Sequence, residues 1–124
     1  MKSIGIRFAY VMIFLACQVP QAWAHAKLVR SDPNARAILT RAPSVIQLWF
    51  NEKLEPDYST AELRDGAGTR VSMEKAAIAP SNAKQLMLKI PPLAGGEYVV
   101  QYRVLSVDGH IAESNFRFSV RARR

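Results

Sequence analysis

The chain is poor in the residues from which most protein chemistry is assembled. Its 124 residues include one cysteine, Cys17, and two histidines, His25 and His110. A single thiol excludes a disulfide framework and any multi-cysteine zinc site. Neither a Gly-x-Gly-x-x-Gly string nor a phosphate-binding loop ending in Gly-Lys-Ser/Thr occurs, which argues against a nucleotide-binding domain. There is no internal repeat and no low-complexity stretch. The length allows one domain and leaves little room for a second. Hydrophobic residues make up 49% and charged residues 22%, a balance that suits a packed domain rather than a disordered chain.

Long apolar runs are also missing. The longest, Phe8–Cys17, is too short to span a bilayer comfortably. Lys2 and Arg7 precede it, and Pro20 and Ala22-Trp23-Ala24 follow. A positive start, a short apolar stretch and a small-residue frame describe a secretory signal peptide over residues 1–24. Cleavage is expected after Ala24, leaving one secreted domain over 25–124. Lipoprotein processing at Cys17 suits the chain less well, because Phe14-Leu15-Ala16 lacks the usual small residue. On the preferred reading Cys17 leaves with the leader, and packing alone holds the mature chain together in an oxidising compartment.

The chain carries 17 Lys+Arg against 10 Asp+Glu, a net +7 that becomes +5 once Lys2 and Arg7 are removed. No basic stripe interleaved with aromatics is present, so nucleic acid is not an expected partner. The nearest approach is Arg121-Ala122-Arg123-Arg124, read as a solvated tail.

Period-two patterning dominates the mature part. Ser44–Phe50 places Ile46, Leu48 and Phe50 on one face, and Gln85–Ile90 does the same with Leu86, Leu88 and Ile90. Glu97–Leu105 aligns Tyr98, Val100, Tyr102 and Val104; Asn115–Val120 aligns Phe116, Phe118 and Val120. Tyr58–Arg64 alternates more weakly and runs into a turn at Asp65-Gly66-Ala67-Gly68, with Thr69–Met73 as a plausible partner strand. Asn34–Arg41 has room for one short turn. About seven short strands with turns between them predict an antiparallel β-sandwich. At strand spacing Met73, Met87 and Trp49 suit the core.

Chemistry can come from few places. Cleavage after Ala24 makes His25 the first residue, whose α-amine and imidazole Nδ1 can chelate one metal. Asp108 and His110 stand two apart in Ser106-Val107-Asp108-Gly109-His110; in extended backbone both side chains leave one face. Amine, two imidazoles and a carboxylate form an N,O set that suits Cu(II), and without a thiolate a blue-copper centre is excluded. Glu52 is placed to orient a ligand imidazole. The plain alternatives are a surface histidine after an Asp-Gly turn and a surface glutamate. No serine pairs with a base in the manner of a nucleophile.

These residues together resemble the CopC family of periplasmic copper-binding proteins. The resemblance rests on His25-Ala26-Lys27-Leu28 with Ser31-Asp32-Pro33, on Leu48-Trp49-Phe50-Asn51-Glu52, and above all on Gly96–His110 with its Arg103-Val104-Leu105-Ser106-Val107-Asp108-Gly109-His110 string. It implies a seven-stranded Greek-key sandwich of immunoglobulin type. It implies one Cu(II) per chain held by His25, Asp108 and His110, with Glu52 as an outer-shell or weak ligand. It implies a role in copper homeostasis or resistance, with transfer to or from an inner-membrane partner of CopD type. The mature chain is expected to be a monomer.

Two departures stand out. Ser72–Leu88 holds only Met73 and Met87 and no histidine, so no dedicated Cu(I) site is expected. Ser114 stands where many members have glycine. Two other functions compete: a copper oxidase of the N-terminal-histidine monooxygenase type, and a metal-free scaffold. The first needs an open coordination position that Asp108 would fill, so the chain is not expected to be an enzyme.

Overall fold

The computed structural model describes residues 25–123; the expected leader and Arg124 lie outside the described residues. Eight strands follow one another: β1 (Leu28–Asp32), β2 (Ile38–Leu39), β3 (Val45–Phe50), β4 (Thr60–Asp65), β5 (Ala77–Ala79), β6 (Asn82–Lys89), β7 (Gly96–Leu105) and β8 (Ile111–Val120). They form two four-stranded sheets, β1-β3-β6-β5 and β2-β8-β7-β4. The all-β sandwich is as expected. It has eight strands rather than seven, and one pair, β2 with β8, runs parallel.

The period-two pattern explains the core. Ile46, Leu48 and Phe50 point inward from β3, and Tyr98, Val100, Tyr102 and Val104 from β7. Leu63, Leu86, Leu88 and Phe118 complete a cluster fed by both sheets. Each such side chain contributes about 1.5–3 kcal/mol by leaving water. Phe50 meets Tyr102 edge-on at 5.5 Å, and Tyr98 stacks on Phe118 at 5.7 Å.

Several boundaries differ from the sequence reading. The strand expected from Tyr58 begins at Thr60, because Pro56–Tyr58 coils into a 3-10 turn and leaves Tyr58 64% exposed. Thr69–Met73 is no strand; it makes one bridge, Arg64 to Arg70. The ladder stops where the Ser72 hydroxyl, rather than a backbone carbonyl, accepts the Leu63 amide at 3.0 Å. Asp65 Oδ1 accepts the amides of Ala67 and Thr69, closing the expected turn. Met73 is 84% exposed and so is not a core residue. Trp49 is not core either: it occupies the phase opposite Leu48 and Phe50, with the Arg30 guanidinium 4.4 Å from its ring centroid.

Strands β7 and β8 form a ten-pair hairpin from Gly96↔Val120 to Leu105↔Ile111. Its tight end is Ser106–His110. The Gly109 amide donates to the Ser106 carbonyl, and Gly109 adopts φ 87°. That left-handed position favours glycine, since a Cβ would crowd the following carbonyl.

Candidate metal centre

Three distant segments meet at the closed end of this hairpin. Beyond β3, residues Asn51–Glu55 run alongside it: the Val107 amide donates to the Lys53 carbonyl at 2.9 Å and the Glu55 amide to the Leu105 carbonyl at 2.8 Å. The arm before β1 is tied to the same stretch. Asn51 donates its amide to the Lys27 carbonyl at 3.0 Å, and its Oδ1 accepts the Lys27 amide at 2.7 Å. Its side-chain amide donates to the His25 carbonyl at 3.4 Å.

Glu52, one residue on, reaches the hairpin. Its Oε2 stands 3.3 Å from His110 Nδ1, and the Glu52 side chain is 14% exposed. A carboxylate there favours the tautomer with the proton on Nδ1 and leaves the Nε2 lone pair for a ligand. Ser106, 1% exposed, joins the two: its hydroxyl accepts the His110 amide at 3.0 Å and hydrogen-bonds the Glu52 carboxylate. That bond is the main reason the Glu52 carboxyl sits below its ordinary 4.5; partial burial opposes it, and His110 reinforces it.

The sequence-expected residues are placed unevenly. Glu52 and His110 are in contact. Asp108 lies on the exposed crest of the turn, and its carboxylate makes no hydrogen bond or ion pair among the described residues. The extended-backbone argument that joined Asp108 to His110 does not apply, because left-handed Gly109 stands between them. His25 is exposed and borders a shallow depression with Leu28, Tyr102, Ile111 and Ser114. Ile111, on the same depression, follows His110 in the chain. Among the described residues no three His, Cys, Asp or Glu side chains already stand as a metal-binding group.

Two contributors escaped the sequence reading. Asn51 stood within the quoted Leu48–Glu52 string, yet nothing in the string shows that it brackets the arm. Ser106 reads in the sequence as one letter of the hairpin string, whereas its burial makes it the junction between Glu52 and His110.

The described residues form an eight-stranded sandwich whose arm before β1 is stitched to a histidine-bearing hairpin. The CopC domain model matches residues 28–121, and the chain belongs to that family. It is 32% identical over 118 residues to protein YobA of Escherichia coli K12, covering 94% of this chain and 95% of that one. It is 36% identical over 123 residues to copper resistance protein C of Xanthomonas campestris pv. juglandis, covering 94% and 96%. The crystal structure of CopC from Methylosinus trichosporium OB3b superposes with a TM-score of 0.75 at 37% identity, covering 81% of this chain and 97% of that one. The Xanthomonas relative is named for copper resistance, and none of the three for a catalysed reaction.

Proposed function

We propose that the chain is a periplasmic Cu(II) carrier that buffers copper or passes it to an inner-membrane partner of CopD type. The observation that carries this reading is the Glu52–His110 pair held beside the stitched arm, which gathers the only two histidines of the chain at one end of the sandwich. In this reading His25 supplies amine and imidazole, His110 supplies Nε2, and Asp108 swings in from the crest. Glu52 orients the His110 ring from behind. Imidazole, amine and carboxylate donors suit Cu(II), whereas soft Cu(I) favours several thioethers. Met73 on an exposed loop and Met87 on β6 do not share a strand. The copper is cargo, taken up as one ion per monomer.

Export and loading are coupled in this scheme. The amine ligand is created by the cut after Ala24, so the uncut chain lacks it. The test is a Cu(II) titration of the processed chain against a competing chelator, beside a version with one extra residue before His25. Tight one-to-one binding that collapses in the extended version is expected. Equal binding by both versions would show that the amine is not a ligand and would overturn the reading.

A further inference from the structure

The carboxyl-terminal residues, read from the sequence as a solvated tail, are fixed to the body. The Arg121 amide donates to the Leu39 carbonyl at 2.8 Å, just past β2. Ala122 packs so closely on Gly95 that a Cβ there would fall 2.5 Å from the Ala122 Cα, so no larger residue fits at Gly95 without displacing backbone. Arg121 and Arg123 therefore project from a set position at the end of the sandwich opposite the hairpin.

More cations stand at the same end. Arg117 leaves the outer face of β8 and Arg121 follows just past its end, with Ser119 between them and Ile38 of β2 paired beside Ser119. Ile38 is 64% exposed. Arg36 precedes β2, with its amide on the Arg117 carbonyl at 2.6 Å and its backbone in the left-handed region, φ 65°. Arg41 follows β2, which runs parallel to β8 and so ends at the same edge. The carboxylates at this end are Asp32, exposed at the end of β1 where it pairs with Gln47, together with Glu97 and Asp65. Glu97 lies 3.9 Å from Arg117 with both side chains about 70% exposed, and Asp65 is occupied by the amides of Ala67 and Thr69. By contrast Glu52, Glu55, Asp57 and Asp108 stand at or near the hairpin end.

We propose that this arginine end is a docking surface for an anionic lipid membrane. The cations are spread along two adjacent strand edges rather than gathered round one point, which fits a fluid array of phosphates better than a single anionic ligand. An exposed branched aliphatic side chain among them suits the boundary between headgroups and acyl chains. The hairpin lies ten strand residues, about 30 Å, away along β8, so docking through the arginines leaves the candidate metal centre outside the contact. The inference stands on this patch alone and does not require that copper binds at the other end.

The test is co-sedimentation of the processed, metal-free chain with vesicles of phosphatidylglycerol and phosphatidylcholine, beside vesicles of phosphatidylcholine alone. Binding to the anionic vesicles only, lost in 0.5 M salt, is expected. Each arginine removed should weaken partitioning about fivefold. Arg121→Ala and Arg123→Ala lie beyond the last strand and leave the fold intact, which a thermal melt verifies. Lys53→Glu and Lys84→Glu, at the hairpin end, serve as charge controls. The proposal is overturned if the arginine variants bind like the parent, if the controls lose as much, or if neutral and anionic vesicles bind alike.

Discussion

At the hairpin end, three segments far apart in sequence are joined by side chains: Asn51 to the arm, Glu52 to His110, Ser106 to both. In the middle of the sandwich the joining is done by interchangeable apolar residues in alternating register. The two regions differ in what a substitution removes. A core side chain takes away buried area and leaves a cavity, a loss shared by the whole fold. A polar residue at the hairpin end takes away one directional contact, a loss felt by the geometry of the site before it is felt by stability.

Three substitutions test that division, beginning with the largest effect. Phe118→Ala empties a position 1% exposed that also stacks on Tyr98, and should cost about 3–5 kcal/mol. At roughly 4–8 °C per kcal/mol for a domain of this size, a thermal melt should fall by more than about 12 °C. The surviving folded fraction should still bind Cu(II) with the parent's affinity. A loss of affinity in proportion to stability would mean that core and site are not separable.

Asn51→Ala should invert that outcome. It removes two side-chain hydrogen bonds from the arm, so the melting temperature should drop by a few degrees. The Lys27 amide should exchange with solvent much faster in the metal-free chain. Copper affinity should weaken about tenfold, because metal must then order an arm that Asn51 had already placed. Unchanged exchange at Lys27 would show that Asn51 does not hold the arm.

The smallest effect is a pH dependence. Ser106 and His110 keep the Glu52 carboxyl ionised below its ordinary 4.5. A depressed folded-state value means that the contribution to stability is complete above that ordinary value and fades as pH falls through the folded one. Melting temperature followed downward from pH 6 should therefore bend below about 4.5, and Glu52→Gln should flatten the bend. An identical profile in Glu52→Gln would assign the acid sensitivity to other carboxylates. Copper affinity, by contrast, should already decline between about pH 6 and 4, since protons compete for both imidazoles and the amine.

The core is legible in the sequence because its signal is local. Leu48, Val100 and Phe118 each announce their face by the residues on either side. The two short strands β2 and β5 were unreadable for the same reason: two or three residues carry no period, and only pairing with β8 or β6 defines them. Trp49 and Met73 misled because large apolar residues suggest burial, while register decides it. At the site, His110 and Glu52 were legible as chemistry, and the resemblance pointed to their partners. The work of Asn51 and Ser106 was not, since a bracket across 24 residues leaves no trace in the neighbouring letters.

Phe50, Asn51 and Glu52 are consecutive, yet they answer to three different masters: the core, the arm and the hairpin imidazole. Such a triplet can change its letters one at a time, but it cannot change its length. An insertion or deletion there would turn all three side chains to wrong partners at once. Descendants of this chain should therefore vary in length more readily at the exposed tip of the Asp65–Thr69 turn, residues Gly66–Gly68, and keep the reading frame of this triplet fixed. A label or handle grafted at that turn should be tolerated for the same reason.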